Sequence, residues 1–212
     1  MDKPNISKAT EARVFGAYFL ALGEFNNAFT GVEHLLTCCV KNTLSREMRD
    51  DRNEWLVNAI VGSMRMSPAK DTVKRILRVQ GAPVARRLFV DKVFAHLGDI
   101  QWLRDRIAHN ATLLRGDDQK HMLISFDFAS AREAEKSEFV GFMPPVLRAA
   151  SHDLVVIKAL IDDLMSMHHG SIPETDLKLP AWQYRPSLLV RRRPKSSESR
   201  KPRKPPPRSS HE

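Results

Sequence analysis

Several things are scarce in this chain of 212 residues, and each scarcity excludes a class of protein. There are two cysteines, Cys38 and Cys39, and they are adjacent. Neighbouring cysteines bridge each other only under strain, and no CxxC or paired Cys/His spacing occurs, so neither a disulfide framework nor a zinc knuckle is expected. The two read as core-facing thiols of a reducing compartment. No run approaches the roughly 18 uninterrupted apolar residues of a membrane span. The opening MDKPNISKATEARV lacks a basic flank, an apolar run and an A-x-A pattern, which argues against a secretory signal and for the cytoplasm. Internal repeats, heptad runs and clustered carboxylates are also missing, so no metal and no cofactor is expected.

Charge is abundant but uneven. The formal net charge is +9. Between Arg191 and Glu212 nine Lys or Arg stand against two Glu, leaving the preceding 190 residues with a net of only +2. That last segment, rich in Pro, Ser, Arg and Lys, cannot bury enough apolar surface to offset its ordering entropy, and a disordered tail is expected. Arg191, Arg192, Arg193, Lys195, Arg200, Lys201, Arg203 and Lys204 are its candidate nucleic-acid contacts, since a dense flexible polycation attracts polyanions with strong salt dependence. A solubilising extension and a polyproline-type ligand in PRKPPPR are the other readings.

The body is patterned for helices. Residues 9 to 44 hold no proline, and Val14, Tyr18, Ala21, Phe25, Ala28, Val32, Leu35, Leu36 and Cys39 recur at steps of three and four. Gly16, Gly23 and Gly31 either mark a face that another helix approaches closely or are simply tolerated. After the polar break SREMRDDRNE, a second helix is expected over 53–65, with Trp55, Leu56, Ala59 and Ile60 apolar. Ser67-Pro68 reads as an N-cap followed by proline, starting a third helix that runs to Gly81. Pro83 opens a fourth, striped by Phe89, Val93, Leu97, Ile100, Leu103 and Ile107. GDD at 116–118 is a turn. HMLISFDF reads as a short strand with ATLL (111–114) or EFVGF (138–142) as partner, a small hairpin inserted between helices. A last helix is expected from about Pro145 to His168, with Val146, Leu154, Ile157, Leu160, Ile161 and Leu164 apolar. Beyond it Leu177, Leu179, Trp182 and Tyr184 are able to pack back on the body. The expectation is an all-α bundle of four to five helices over 1–170, an extended Pro-containing segment over 171–190 and the basic tail over 191–212.

The chemistry concentrates where the fourth helix ends, in WLRDRIAHN (102–110). Arginine offers a permanently charged planar fork that matches phosphate oxygens, and histidine exchanges protons near neutral pH. Together Arg104 and His109 suit cleavage of an RNA phosphodiester. A base takes the ribose 2′-proton, the 2′-oxygen attacks phosphorus, and a cation stabilises the charge that builds up on the phosphoryl oxygens. Asp105 and His109 are one helical turn apart and share a face, so the carboxylate is placed to orient the imidazole. Arg104 and His109 are separated by about 140° of rotation and converge poorly within one chain. A two-fold pairing of this helix with its copy would bring two of each together. The simpler reading is that basic groups at a helix C-terminus complement the helix dipole, contributing about 0.3–1 kcal/mol each.

The segment RDRIAH, with four residues between Arg104 and His109 and Asp105 at the polar position, resembles the Arg-x4-6-His motif of HEPN domains. The long first helix, the motif near the end of a late helix and the closing helix fit the same pattern, over roughly residues 9 to 168. The resemblance implies a HEPN-like helical bundle and a symmetric homodimer. In many members it implies a metal-independent endoribonuclease of toxin–antitoxin or phage-defence systems, so an antitoxin or other protein partner is a further expectation. It carries over Arg104 and His109 as catalytic, Asp105 as the supporting polar residue and Asn110 as a further contact. Some members are non-catalytic scaffolds or nucleic-acid-binding proteins.

Overall fold

The computed structural model describes residues 8–48, 54–109, 112–117, 120–126, 139–166 and 177–192. Five α-helices hold most of them: α1 Lys8–Met48, α2 Glu54–Val61, α3 Met66–Val79, α4 Val84–His109 and α5 Pro144–Ser166. The stripes read from the sequence form the core. On α1 Tyr18, Ala21, Phe25, Val32, Leu36 and Cys39 are buried, joined by Phe29. On α4 Phe89, Val93, Leu97, Ile100 and Leu103 are buried, and Ile107 is partly so. On α5 Val146, Leu154, Ile157, Ile161 and Leu164 close the same cluster. The hydrophobic contribution of such side chains is about 1.5–3 kcal/mol each when fully buried, which is why periodicity reports this part of the fold so well.

The short helix α2 departs from expectation. Trp55 and Ile60 are exposed, and Val57 and Val61 face inward instead. With only eight residues, six of them apolar, the segment fits more than one inward face, and packing chooses between them. The start of α3 also differs. The helix begins at Met66, so Ser67 lies inside its first turn and is not the N-cap. Arg65 holds the cap position without a side-chain cap bond. The Met66 amide donates instead to Glu33 Oε1 on α1, at 3.0 Å. An orphan donor of the helix end is thereby satisfied from a neighbouring helix. Gly81 closes the α3–α4 turn at φ 67°, a left-handed conformation that suits a residue without a Cβ. An added Cβ at Gly16, Gly23 or Gly31 would meet nothing within 4 Å, so within the described residues no helix approaches α1 closely there.

The strands make more than a hairpin. β1 Thr112–Asp117, β2 Lys120–Phe126, β3 Phe139–Phe142 and β4 Val190–Arg192 form one antiparallel sheet in sequence order. Both partners considered for the HMLISF strand pair with it, β1 through Leu113↔Ile124 and β3 through Ser125↔Val140. The fourth strand comes from the far end of the chain, with Val140↔Arg191 and Phe139↔Arg192 in register. Arg191 and Arg192, assigned above to a disordered tail, therefore have ordered backbone in an edge strand. Residues 193–212 lie outside the described residues.

The segment Leu177–Leu189 leads into β4 across the helical body. Tyr184 and Leu189 are buried, and Leu177 and Trp182 pack partly buried against the core. It is fastened by one side chain. Asp153 of α5, 1% exposed, accepts the backbone N–H of Gln183 at 3.0 Å and of Tyr184 at 2.8 Å. His96 of α4 lies with Nε2 2.9 Å from the same carboxylate, and the Trp182 ring stacks on its imidazole with centroids 4.2 Å apart. A buried carboxylate is tolerable only when its oxygens are satisfied, and here each oxygen receives a backbone donor.

Candidate functional site

The C-terminal third of α4 lies against the start of α3, and its Arg104 reaches Phe29 of α1. The two helices run antiparallel, and polar side chains line their seam. Gln101 Oε1 accepts from Lys70 Nζ at 3.0 Å and faces the Ser67 hydroxyl at 3.3 Å, while Gln101 Nε2 donates to Ser67 Oγ at 3.1 Å. Gln101, Asp105 and His109 are spaced by four residues and therefore follow one face of α4 at backbone level. Burial pushes the Lys70 ammonium below its ordinary value, and Lys74 adds to the shift, while Asp71 and Asp105 oppose it. A lysine of this kind gives up its proton more readily than a solvated one.

Arg104 is held on two sides. Its Nη1 lies 3.1 Å from Asp105 Oδ1, and its guanidinium carbon sits 5.5 Å from the centre of the Phe29 ring on α1. The side chain keeps 34% of its surface open. A planar cation braced by an aromatic face and a carboxylate is pre-oriented and still able to meet a phosphate. Arg106, two residues on, lies over the Trp102 ring at 5.1 Å.

Asp105 thus has Arg104 as its described partner, where the sequence suggested that it would orient the histidine. His109 is the last residue of α4, and its side chain is outside those described, as is all of Asn110. In the tail, Arg191 and Arg192 are placed by the backbone of β4, and Arg193, Lys195, Arg200, Lys201, Arg203 and Lys204 lie outside the described residues. The structure therefore joins Arg104 to Asp105 and adds three residues that motif reading missed: Ser67, Lys70 and Gln101. The only available signal was the four-residue step from Gln101 to Asp105, since their α3 partners lie more than thirty positions away in sequence.

Other clusters offer less. The His96–Asp153 pair is committed to holding residues 183 and 184. Cys38 Sγ lies 3.4 Å from His34 Nε2, and the Cys39 thiol is pushed up to about 12 chiefly by burial, which keeps it protonated and unreactive. Among the described residues no group of three or more His, Cys, Asp or Glu converges as metal ligands would, and no helix is long and apolar enough to cross a membrane. Compared with family models, curated proteins and solved structures, the chain matches none.

Proposed function

We propose that this protein is a metal-independent endoribonuclease of the HEPN type, acting as a homodimer on RNA. The observation that carries the reading is the posture of Arg104: braced by Asp105 and Phe29, partly open, and near the end of the helix that terminates in His109. In this reading Arg104 clamps the scissile phosphate and stabilises charge as the 2′-oxygen attacks. His109 exchanges the proton, one copy as base and the other as acid. Asp105 positions the guanidinium. The half-buried ammonium of Lys70, one seam away, supplies a second positive charge to the pentavalent phosphorus or its leaving oxygen. The products are a 2′,3′-cyclic phosphate and a 5′-hydroxyl end. The same resemblance extends the proposal to a toxin–antitoxin or phage-defence role with a protein regulator.

The test is cleavage of RNA by the purified chain in excess EDTA, comparing wild type with His109→Ala and Arg104→Ala. Cleavage that survives EDTA and disappears in both variants supports the proposal. Binding without cleavage in wild type refutes the enzyme and leaves a non-catalytic nucleic-acid-binding scaffold of the same fold.

A further inference from the structure

The cations of the α3–α4 seam are arranged in a row. Lys70, Lys74 and Arg78 are spaced by four residues on α3, so they lie on one face with a rise of about 6 Å between neighbours. Across the seam, Lys74 Nζ is 2.8 Å from Asp91 and 5.9 Å from the centre of the Phe94 ring, and an added Cβ at Gly98 would touch Lys70 Nζ at 4.0 Å. Arg87 of α4 and Arg78 of α3 line the same groove, together with Lys74 and Asp91. At its other end the row meets Asp105, whose charge acts on Lys70 and whose carboxylate pairs with Arg104.

The row is not neutralised. Asp91 is already taken by Lys74 and Asp105 by Arg104, and Asp71 is the further carboxylate acting on Lys70. Arg78 is exposed. Arg87 is half-buried, and its Nε is shut off from solvent without an acceptor among the described residues. A buried guanidinium N–H without an acceptor is costly, and the same side chain lines the groove beside Arg78. The rise between successive lysines is comparable with the spacing of phosphates along a single strand.

We propose that this seam is a phosphate-backbone track for single-stranded RNA, entering at Arg78 and Arg87, passing Lys74 and Lys70, and delivering the strand to Arg104. The direction of the track rests on the nuclease reading, but its binding does not. Contacts of this kind fall on phosphate and carry no base specificity. They are also distinct from the basic run beyond residue 192, because they sit on α3 and α4 and fix where the strand lies.

The test uses the full chain with His109→Ala, to keep the probe intact, and a fluorescein-labelled oligouridylate followed by anisotropy at several salt concentrations. Arg78→Gln with Arg87→Gln is compared with Arg148→Gln and Lys158→Gln, two exposed cations of α5 that remove the same charge elsewhere. Each lost single-strand phosphate contact lowers the slope of log affinity against log salt by roughly 0.7, so the seam pair is expected to reduce it by about 1.4 and to weaken binding several-fold at low salt. The α5 pair leaves the slope near that of the His109→Ala parent. Arg78→Glu alone, which disturbs no described contact, follows the seam pair in direction and guards against a folding artefact. Equal effects of the two pairs, or a seam pair that binds like the parent, overturn the track. Loss of cleavage in His109→Ala is read separately, so a protein that binds along the seam without cutting RNA sinks the nuclease reading alone.

Discussion

Replacing Asp153 with alanine tests how the C-terminal segment is held. The carboxylate receives two backbone amides, from Gln183 and Tyr184, and faces His96 Nε2, all within 3.0 Å. Hydrogen bonds to a charged group contribute about 1.5–3 kcal/mol each, and their removal leaves the two backbone donors without that acceptor. For the two backbone amides together about 3–5 kcal/mol is the cost expected here. Set against a typical domain stability of about 5–15 kcal/mol, that is a large share. The change should open the segment before it unfolds the helices, because the helical core keeps its own contacts. Amide exchange at Gln183 and Tyr184 is the assay. With about 1.4 kcal/mol per factor of ten, exchange at these two positions is expected to speed up by about two to three and a half orders of magnitude. Asp153→Asn keeps one acceptor oxygen and should fall between. If both amides in a folded Asp153→Ala protein exchange within a few-fold of wild type, the carboxylate is not what fastens the segment.

Further outcomes follow from the same geometry. Arg104→Lys keeps the charge but loses the planar fork over Phe29 and the bond to Asp105, so the proposed RNA cleavage should drop by at least tenfold, while the melting temperature hardly moves. Burial raises Tyr18 from 10.0 and Cys39 from 9.0 to about 12, so the folded state favours both neutral forms. Their contribution is complete below pH 9, declines as the unfolded chain ionises and is gone above about pH 12; denaturant midpoints measured across that window should decrease steadily, and a flat profile would contradict the burial argument. Gly23→Ala should stabilise α1 by about 0.5–1 kcal/mol, since nothing stands within 4 Å of the new methyl. Gly81→Ala should cost about 1–2 kcal/mol through its left-handed φ, and thermal melts of the two variants, shifting in opposite directions, check both.

The helices with long apolar stripes were legible because burial imposes a period of 3.6 on any helix lying against a core, and α1, α4 and α5 each repeat it over several turns. Trp55 misled because α2 is too short for the period to decide a face. Ser67 had the chemistry of an N-cap, yet α3 begins one residue before it and takes its cap from Glu33, 33 residues upstream of Met66. His96 and Asp153 are 57 residues apart, and neither lies near a recognisable motif. Of the candidate site, Arg104 and Asp105 were readable as an adjacent pair on a helix end. Lys70, Ser67 and Gln101 were not, because their meeting depends on how α3 and α4 align. Pairings between distant residues leave no periodic trace, so sequence order alone gives them no signal.

Strand β4 changes where this protein can be divided. A boundary drawn at Gly170, where helical periodicity ends, would strip away Trp182, the amides of Gln183 and Tyr184 and the outer strand of the sheet, leaving the buried Asp153 carboxylate without its two backbone donors. A shortened protein meant to shed the polycationic end should retain everything through Arg192. Cut there, it would keep every contact described for the segment and for β4, and would allow the contribution of the last twenty residues to the proposed RNA binding to be measured by simple subtraction.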